Sequence, residues 1–280
     1  MTGVSSNDAE RASEATIASL RAICREVGLD LDALSPFVLE RMRLLAEVTK
    51  TATDGANIVR IANAVFARAD DGGSGRPWSA SERRIVILGS IFADIGKTGP
   101  LDADAEGQRL VAEMFAVEGV KDEAQSVETF FRAYFPGDAD ERIRRFRALG
   151  LDASMSMRYF WNLHTGWTFE IVEAGGVPRE VIVAAATHHL LDHINPHHVV
   201  EDDGRFSEPF GENVAFDRAE KLVIVLDKYD ALRRRAALTH EAAIAWLRSW
   251  VSRHERYGED AELFAAIADV EAVGDRPPPV

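Results

Sequence analysis

The run Ile91-Phe92-Ala93-Asp94-Ile95-Gly96-Lys97-Thr98-Gly99-Pro100 decides how this chain is read. An apolar segment from Ile85 to Phe92 leads into a carboxylate, and two glycines and a proline then stop the helix. An ionised aspartate at the end of so apolar a segment is costly to bury without a cation or hydrogen-bond donors. Lys97, three residues on, is one partner for Asp94, and a metal ion is another. Upstream, Ser79 and Glu82 have capping-box spacing, so a helix opens there and reaches Phe92. Its second half is apolar almost all round, which makes it central and buried.

Toward the N-terminus, a flexible Asp70–Gly75 connector separates that helix from one expected to follow an Asp54-Gly55 turn. There Ile58, Ile61, Ala62, Val65 and Phe66 recur on one helical face. Residues 8–27 read as an amphipathic helix, with Ile17, Leu20, Cys24 and Val27 on one stripe and Gly28 as the stop. Ser35-Pro36 starts another through Met42, Leu45 and Val48. These two helices either pack on the central region or meet a second subunit, which leaves a homodimer open.

Toward the C-terminus, residues 101–154 read as helical, with the aromatic group Phe130, Phe131, Tyr134 and Phe135 as core, lid or dimer surface. A helix from about Ser154 to Ala174 surrounds His164 with Tyr159, Phe160, Trp161, Leu163, Trp167 and Ile171. Pro178 starts a helix that ends in His188-His189, and an acidic loop spans Glu201 to Asn213. A long helix then carries Leu222, Val223, Leu226, Asp227, Tyr229 and Leu232. Thr239 caps an amphipathic helix through Trp250, and the Pro277-Pro278-Pro279 tail reads as disordered. No segment alternates with period two between hairpin turns, so the expected fold class is all-α.

A net charge of −14 argues against a nucleic-acid binder, because phosphate contacts need Lys and Arg. A small phosphorylated ligand stays compatible with it, since a bound divalent ion reverses the local field. The single cysteine, Cys24, excludes an internal disulfide and suits a reducing compartment. Its apolar neighbours mark it as a core residue. With no apolar run of 18 residues and no signal-like N-terminus, the expectation is a cytoplasmic protein with no membrane partner.

Four helices each set ionisable groups beside apolar ones: Asp94, His164, His188 with His189, and Asp227. Each alone has a plain explanation, such as a hydrogen-bonded core histidine or an Asp227–Arg233 or Asp227–Arg234 pair. Together they are the ligand types for divalent ions of the Zn, Fe and Mn kind, and buried helices aim such ligands at one point.

The order and spacing resemble the HD superfamily of metal-dependent phosphohydrolases, most closely its HD-GYP branch. Asp94-Ile95-Gly96-Lys97-Thr98-Gly99 is similar to the family's His-Asp-Ile-Gly-Lys-x-Gly, His188-His189 to its paired histidines, and Asp227-Lys228-Tyr229-Asp230-Ala231-Leu232 to its last ligand segment. His164 stands where the family has a mid-chain histidine. The likeness covers about residues 54–234. The departures are specific: Asn57 stands at the family's first histidine, Ala93 at the histidine of the His-Asp pair, and Ile194-Asn195-Pro196 at the Gly-Tyr-Pro tail.

The resemblance implies an HD-like bundle at 54–256, with 101–153 inserted or lid-like, a helical extension at 1–53 and a C-terminal segment at 257–280. It implies metal ligation by Asp94, His164, His188, His189 and Asp227, and catalytic roles for Asp94 and Lys97. The ion would be Mn, Fe, Zn or Ni, with fewer ions than the family norm, acting on a nucleotide or other phosphate ester. The lost imidazoles support the alternative, a degenerate and metal-free domain kept for ligand sensing or protein interaction. His193, His197 and His198 follow in a proline-bounded loop, either as solvated residues or as extra ligands and substrate rim.

Overall fold

The capping box is formed: Ser79 Oγ accepts from the Glu82 amide at 3.2 Å, and the Ser79 amide donates to Glu82 Oε2 at 2.7 Å. The helix it opens (α4, Ala80–Phe92) is buried on every side of its second half, through Val86, Ile87, Leu88, Gly89, Ser90 and Phe92. This structure, a computed structural model, describes residues 6–49, 51–73, 76–190, 194, 196–198, 218–234, 236–252 and 261–270. Expectations for His193, Asn195, the 201–213 loop and the proline tail lie outside the described residues.

Around α4 stand α1 (Ser6–Glu26), α2 (Pro36–Val48), α3 (Thr51–Asp70), α5 (Ala105–Ala116), α6 (Val127–Tyr134) and α7 (Ala139–Ala148). They are joined by α8 (Met157–Ala174), α9 (Arg179–Ala186), α10 (Arg218–Arg234), α11 (His240–Ser252) and α12 (Ala261–Ala268). The fold is all-α, with no strand among the described residues. No described helix is long and apolar enough to cross a membrane.

Two apolar clusters meet on α4 and α9. One gathers α3, α10, α11 and α12 around Val86, Val183 and Ile224; the other gathers α1, α2 and α5–α8 around Leu88, Phe92 and Val181. Small residues let the two shared helices close on each other. A Cβ on Gly89 would come within 2.7 Å of the Ala184 Cβ, so the glycine is required by the approach of α9.

Several expectations resolve against this frame. Helices α1 and α2 pack on the central region, sharing a cluster with Leu88, Phe92 and Ile95. Phe130 and Phe131 are fully buried, so the aromatic group is core. Asp54 and Gly55 do not form a turn: α3 begins at Thr51 and runs through both. Gly55 is kept bare by packing, since its Cβ would sit 3.1 Å from the Ser90 carbonyl oxygen of α4. A further helix beyond Trp250, α12, places Leu263, Ala266 and Ile267 in the core.

Candidate metal centre

Helix α4 ends at Phe92, and the chain tightens into a 3-10 turn, Ile95–Thr98, that carries Lys97. Gly96 lets this turn lie against α8, because a Cβ there would be 2.0 Å from the His164 carbonyl oxygen. The Gly96 amide donates to Thr168 Oγ1 at 3.0 Å, and that hydroxyl donates to the Ala93 carbonyl at 2.9 Å. Gly99 then takes φ +88°, a left-handed conformation that suits glycine and redirects the chain.

Asp94 uses its two oxygens differently. Oδ2 receives the Lys97 ammonium at 2.6 Å, while Oδ1 lies 3.4 Å from His164 Nε2 and 3.6 Å from His188 Nε2. Burial works to raise the Asp94 pKa, but the Lys97 ammonium holds it well below the ordinary carboxylate range. The carboxylate is therefore ionised. Lys97 is itself 90 % enclosed, its ammonium 6.0 Å from the Phe115 ring centre of α5.

Both imidazoles are locked by their far nitrogens. His164 leans back along α8, as helical side chains do, and its Nδ1 donates to the Trp161 carbonyl. His188 lies just past the end of α9, where its Nδ1 donates to the Ala185 carbonyl at 2.7 Å and satisfies a helix-end acceptor. A carbonyl only accepts, so each Nδ1 carries the hydrogen and each neutral Nε2 carries a lone pair. Those two Nε2 atoms face each other at 3.0 Å. Burial pushes the His164 pKa down to about 4 and that of His188 well below its usual value, against the pull of Asp94.

His189, half-buried, completes a triad whose ligand-capable nitrogens all lie within 4.8 Å of one another. Three imidazoles with an adjacent carboxylate fit a borderline divalent ion. The Nδ1–H to carbonyl bonds are the outer contacts that orient metal-binding histidines.

Asp227, on α10, shares a narrow pocket with Asp94 and lies outside the histidine triad. Thr51, Ser90 and the two carboxylates are the pocket's polar lining, and Leu20, Met42 and Leu45 of α1 and α2 form an apolar wall. His197 is directed elsewhere, with Nε2 3.3 Å from Glu170 Oε1 and its ring against Phe169.

At Asn57, the position of the first histidine in the resemblance, the side chain is engaged in a network. Asn57 Nδ2 donates to Asp230 Oδ1 at 2.7 Å, Arg60 donates to Asn57 Oδ1, and Arg234 bridges Asp230 and Asp54. Burial, against the opposing pull of Arg234, raises the Asp54 pKa to about 6, with Asp94 adding to the rise. The sequence left this network and Phe115 unnoticed; its local signals were the i, i+3 spacing of Asn57 and Arg60 and the i, i+4 spacing of Asp230 and Arg234. No family model matches the chain, and no curated protein or solved structure matches it either.

Proposed function

We propose that the chain is an HD-superfamily-type, metal-dependent hydrolase of a phosphate ester, working with one divalent ion of the Mn, Fe, Zn or Ni kind. One observation carries this reading: the Nε2 atoms of His164 and His188 face each other at 3.0 Å beside the Asp94 carboxylate, while both Nδ1 atoms are turned to backbone carbonyls. Such a group of acceptors repels itself unless a cation is shared among them.

His164, His188 and His189 would hold the ion, with Asp94 Oδ1 beside them. A bound ion supplies an acidified water and neutralises phosphate charge. The chain's own part is positional and electrostatic. Lys97 fixes the Asp94 carboxylate by its far oxygen and adds a positive charge where phosphate oxygens would gather. Asp227 lines a pocket with Asp94 and would orient a water or an ester that reaches it from that side. The apolar wall from α1 and α2 limits water and strengthens these interactions. The substrate is a small phosphorylated molecule or nucleotide.

The Asn57 network supports a second reading, a degenerate domain that senses a ligand or holds a partner. It fills with protein groups the place where the resemblance has an imidazole.

Elemental analysis of the purified protein and of Asp94→Ala separates the two. Near-stoichiometric metal that falls sharply in the variant, with hydrolysis of a phosphomonoester or nucleotide from a panel, supports the enzyme. Metal-free, folded protein that cleaves nothing in the panel overturns it in favour of the module.

A further inference from the structure

We infer that Arg41, on the N-terminal helix α2, is a positioning residue for the candidate centre, holding the Asp94–Lys97 turn against the imidazoles of α8 and α9. This deepens the metal-site reading above and rests on it for its consequence in ion binding.

Arg41 is 1 % exposed, and both its terminal nitrogens donate to a single loop, while Nε has no protein partner. Nη1 donates to Thr98 Oγ1 at 2.9 Å, to the Thr98 carbonyl at 3.3 Å and to the Gly99 carbonyl at 3.0 Å. Nη2 donates to the Pro100 carbonyl at 2.7 Å and the Leu101 carbonyl at 3.0 Å. Four consecutive carbonyls thus converge on one guanidinium. Aligned carbonyl dipoles repel one another, and the left-handed Gly99 that brings them together would not by itself hold them there. A planar fork with several fixed donors satisfies that array; a lysine ammonium, with three donors at one point, does not match it.

The loop transmits this hold to the centre. The Lys97 amide donates to the Asp94 carbonyl at 3.0 Å, and the Gly99 amide to the Gly96 carbonyl at 2.9 Å, so residues 94–99 move as one turn. Thr168 of α8 grips the turn from one side, and Arg41 of α2 grips its exit from the other. With one grip released, the Asp94 carboxylate and Lys97 ammonium lose their fixed relation to His164 and His188, although neither touches Arg41. The N-terminal helices are therefore part of the centre's framework.

The test uses the full chain as Arg41→Lys and Arg41→Gln. Arg84→Gln is the control, because Arg84 makes a similar clamp on the Val27 and Gly28 carbonyls away from the loop. Two quantities are read: the imidazole NMR signals of His164 and His188 in metal-free protein, and the affinity and visible absorption of added Co²⁺. Both Arg41 variants are expected to shift the imidazole signals and weaken Co²⁺ binding by about 10–100-fold, the usual range for outer contacts of a metal site. Arg84→Gln is expected to lower the melting temperature while leaving both at wild-type values. If Arg41→Gln does not fold, Arg41→Lys carries the comparison. Folded Arg41 variants with wild-type imidazole signals overturn the proposal. Wild-type protein that takes up no Co²⁺ overturns the metal reading instead, and the imidazole signals alone then decide the role of Arg41.

Discussion

His164 Nε2 and His188 Nε2 face each other at 3.0 Å while both rings spend their only neutral-state hydrogen on backbone carbonyls. In their neutral forms the two rings set lone pair against lone pair, an opposition that the unfolded chain lacks. On the metal reading, a divalent ion would relieve it and bind the folded state more tightly than the unfolded one. At a free concentration one hundred times its Kd, the ion should add about 2.7 kcal/mol to stability. Thermal unfolding with Mn²⁺ or Zn²⁺, and again with a chelator, reads this; the shift should vanish in His188→Ala.

Gly96 has no room to grow. An added Cβ meets the backbone of His164 and Thr168 at 2.0 and 2.5 Å, and backbone cannot swing aside as a side chain can. Gly96→Ala is expected to lose about 1–3 kcal/mol or more in denaturant unfolding. Gly137→Ala, where nothing lies within 4 Å, should unfold like the wild type.

Asp54 gives a signed pH dependence. Its folded pKa, about 6, lies above its ordinary value of 3.8, so the folded state holds the proton longer than the unfolded one. The resulting stability is complete below pH 3.8 and is lost as pH rises through about 6. At ~1.4 kcal/mol per pKa unit, the loss is on the order of 3 kcal/mol. Urea unfolding of wild type against Asp54→Asn between these pH values should show the wild type losing ground relative to the variant.

Cys24 behaves in the same sense at the alkaline end. Burial pushes its thiol up to about 12, while an unfolded thiol ionises near ~8.5. Stability should therefore decline as pH rises from the lower value toward the upper, and Cys24→Ala should remove that slope. A disulfide reagent at pH 8 should leave the folded protein unmodified and label it fully in denaturant.

The central helix was legible because its signals are local: a capping box, an apolar run and a Gly-Lys-Thr-Gly-Pro stop. The structure brings Asp94, Lys97, His164, His188 and His189 together and leaves Asp227, also expected as a ligand, outside the histidine triad; service as ligands is the proposal. What the sequence hid is long-range. Arg41 sits 57–60 residues from the carbonyls it binds, and no periodicity announces such a contact. Gly55 read as a turn because glycine disfavours helix, yet the approach of α4 outweighs that preference.

The bare contact of Gly89 with Ala184 has a mechanical consequence. Helices keyed together by a methyl seated on a bare glycine slide poorly past each other, so the arm bearing Asp94 and the arm bearing His188 form a stationary anvil. With α2 tied to the loop by Arg41, any breathing that admits or discharges a ligand must come from the remaining wall, the slab that Leu20 contributes from α1.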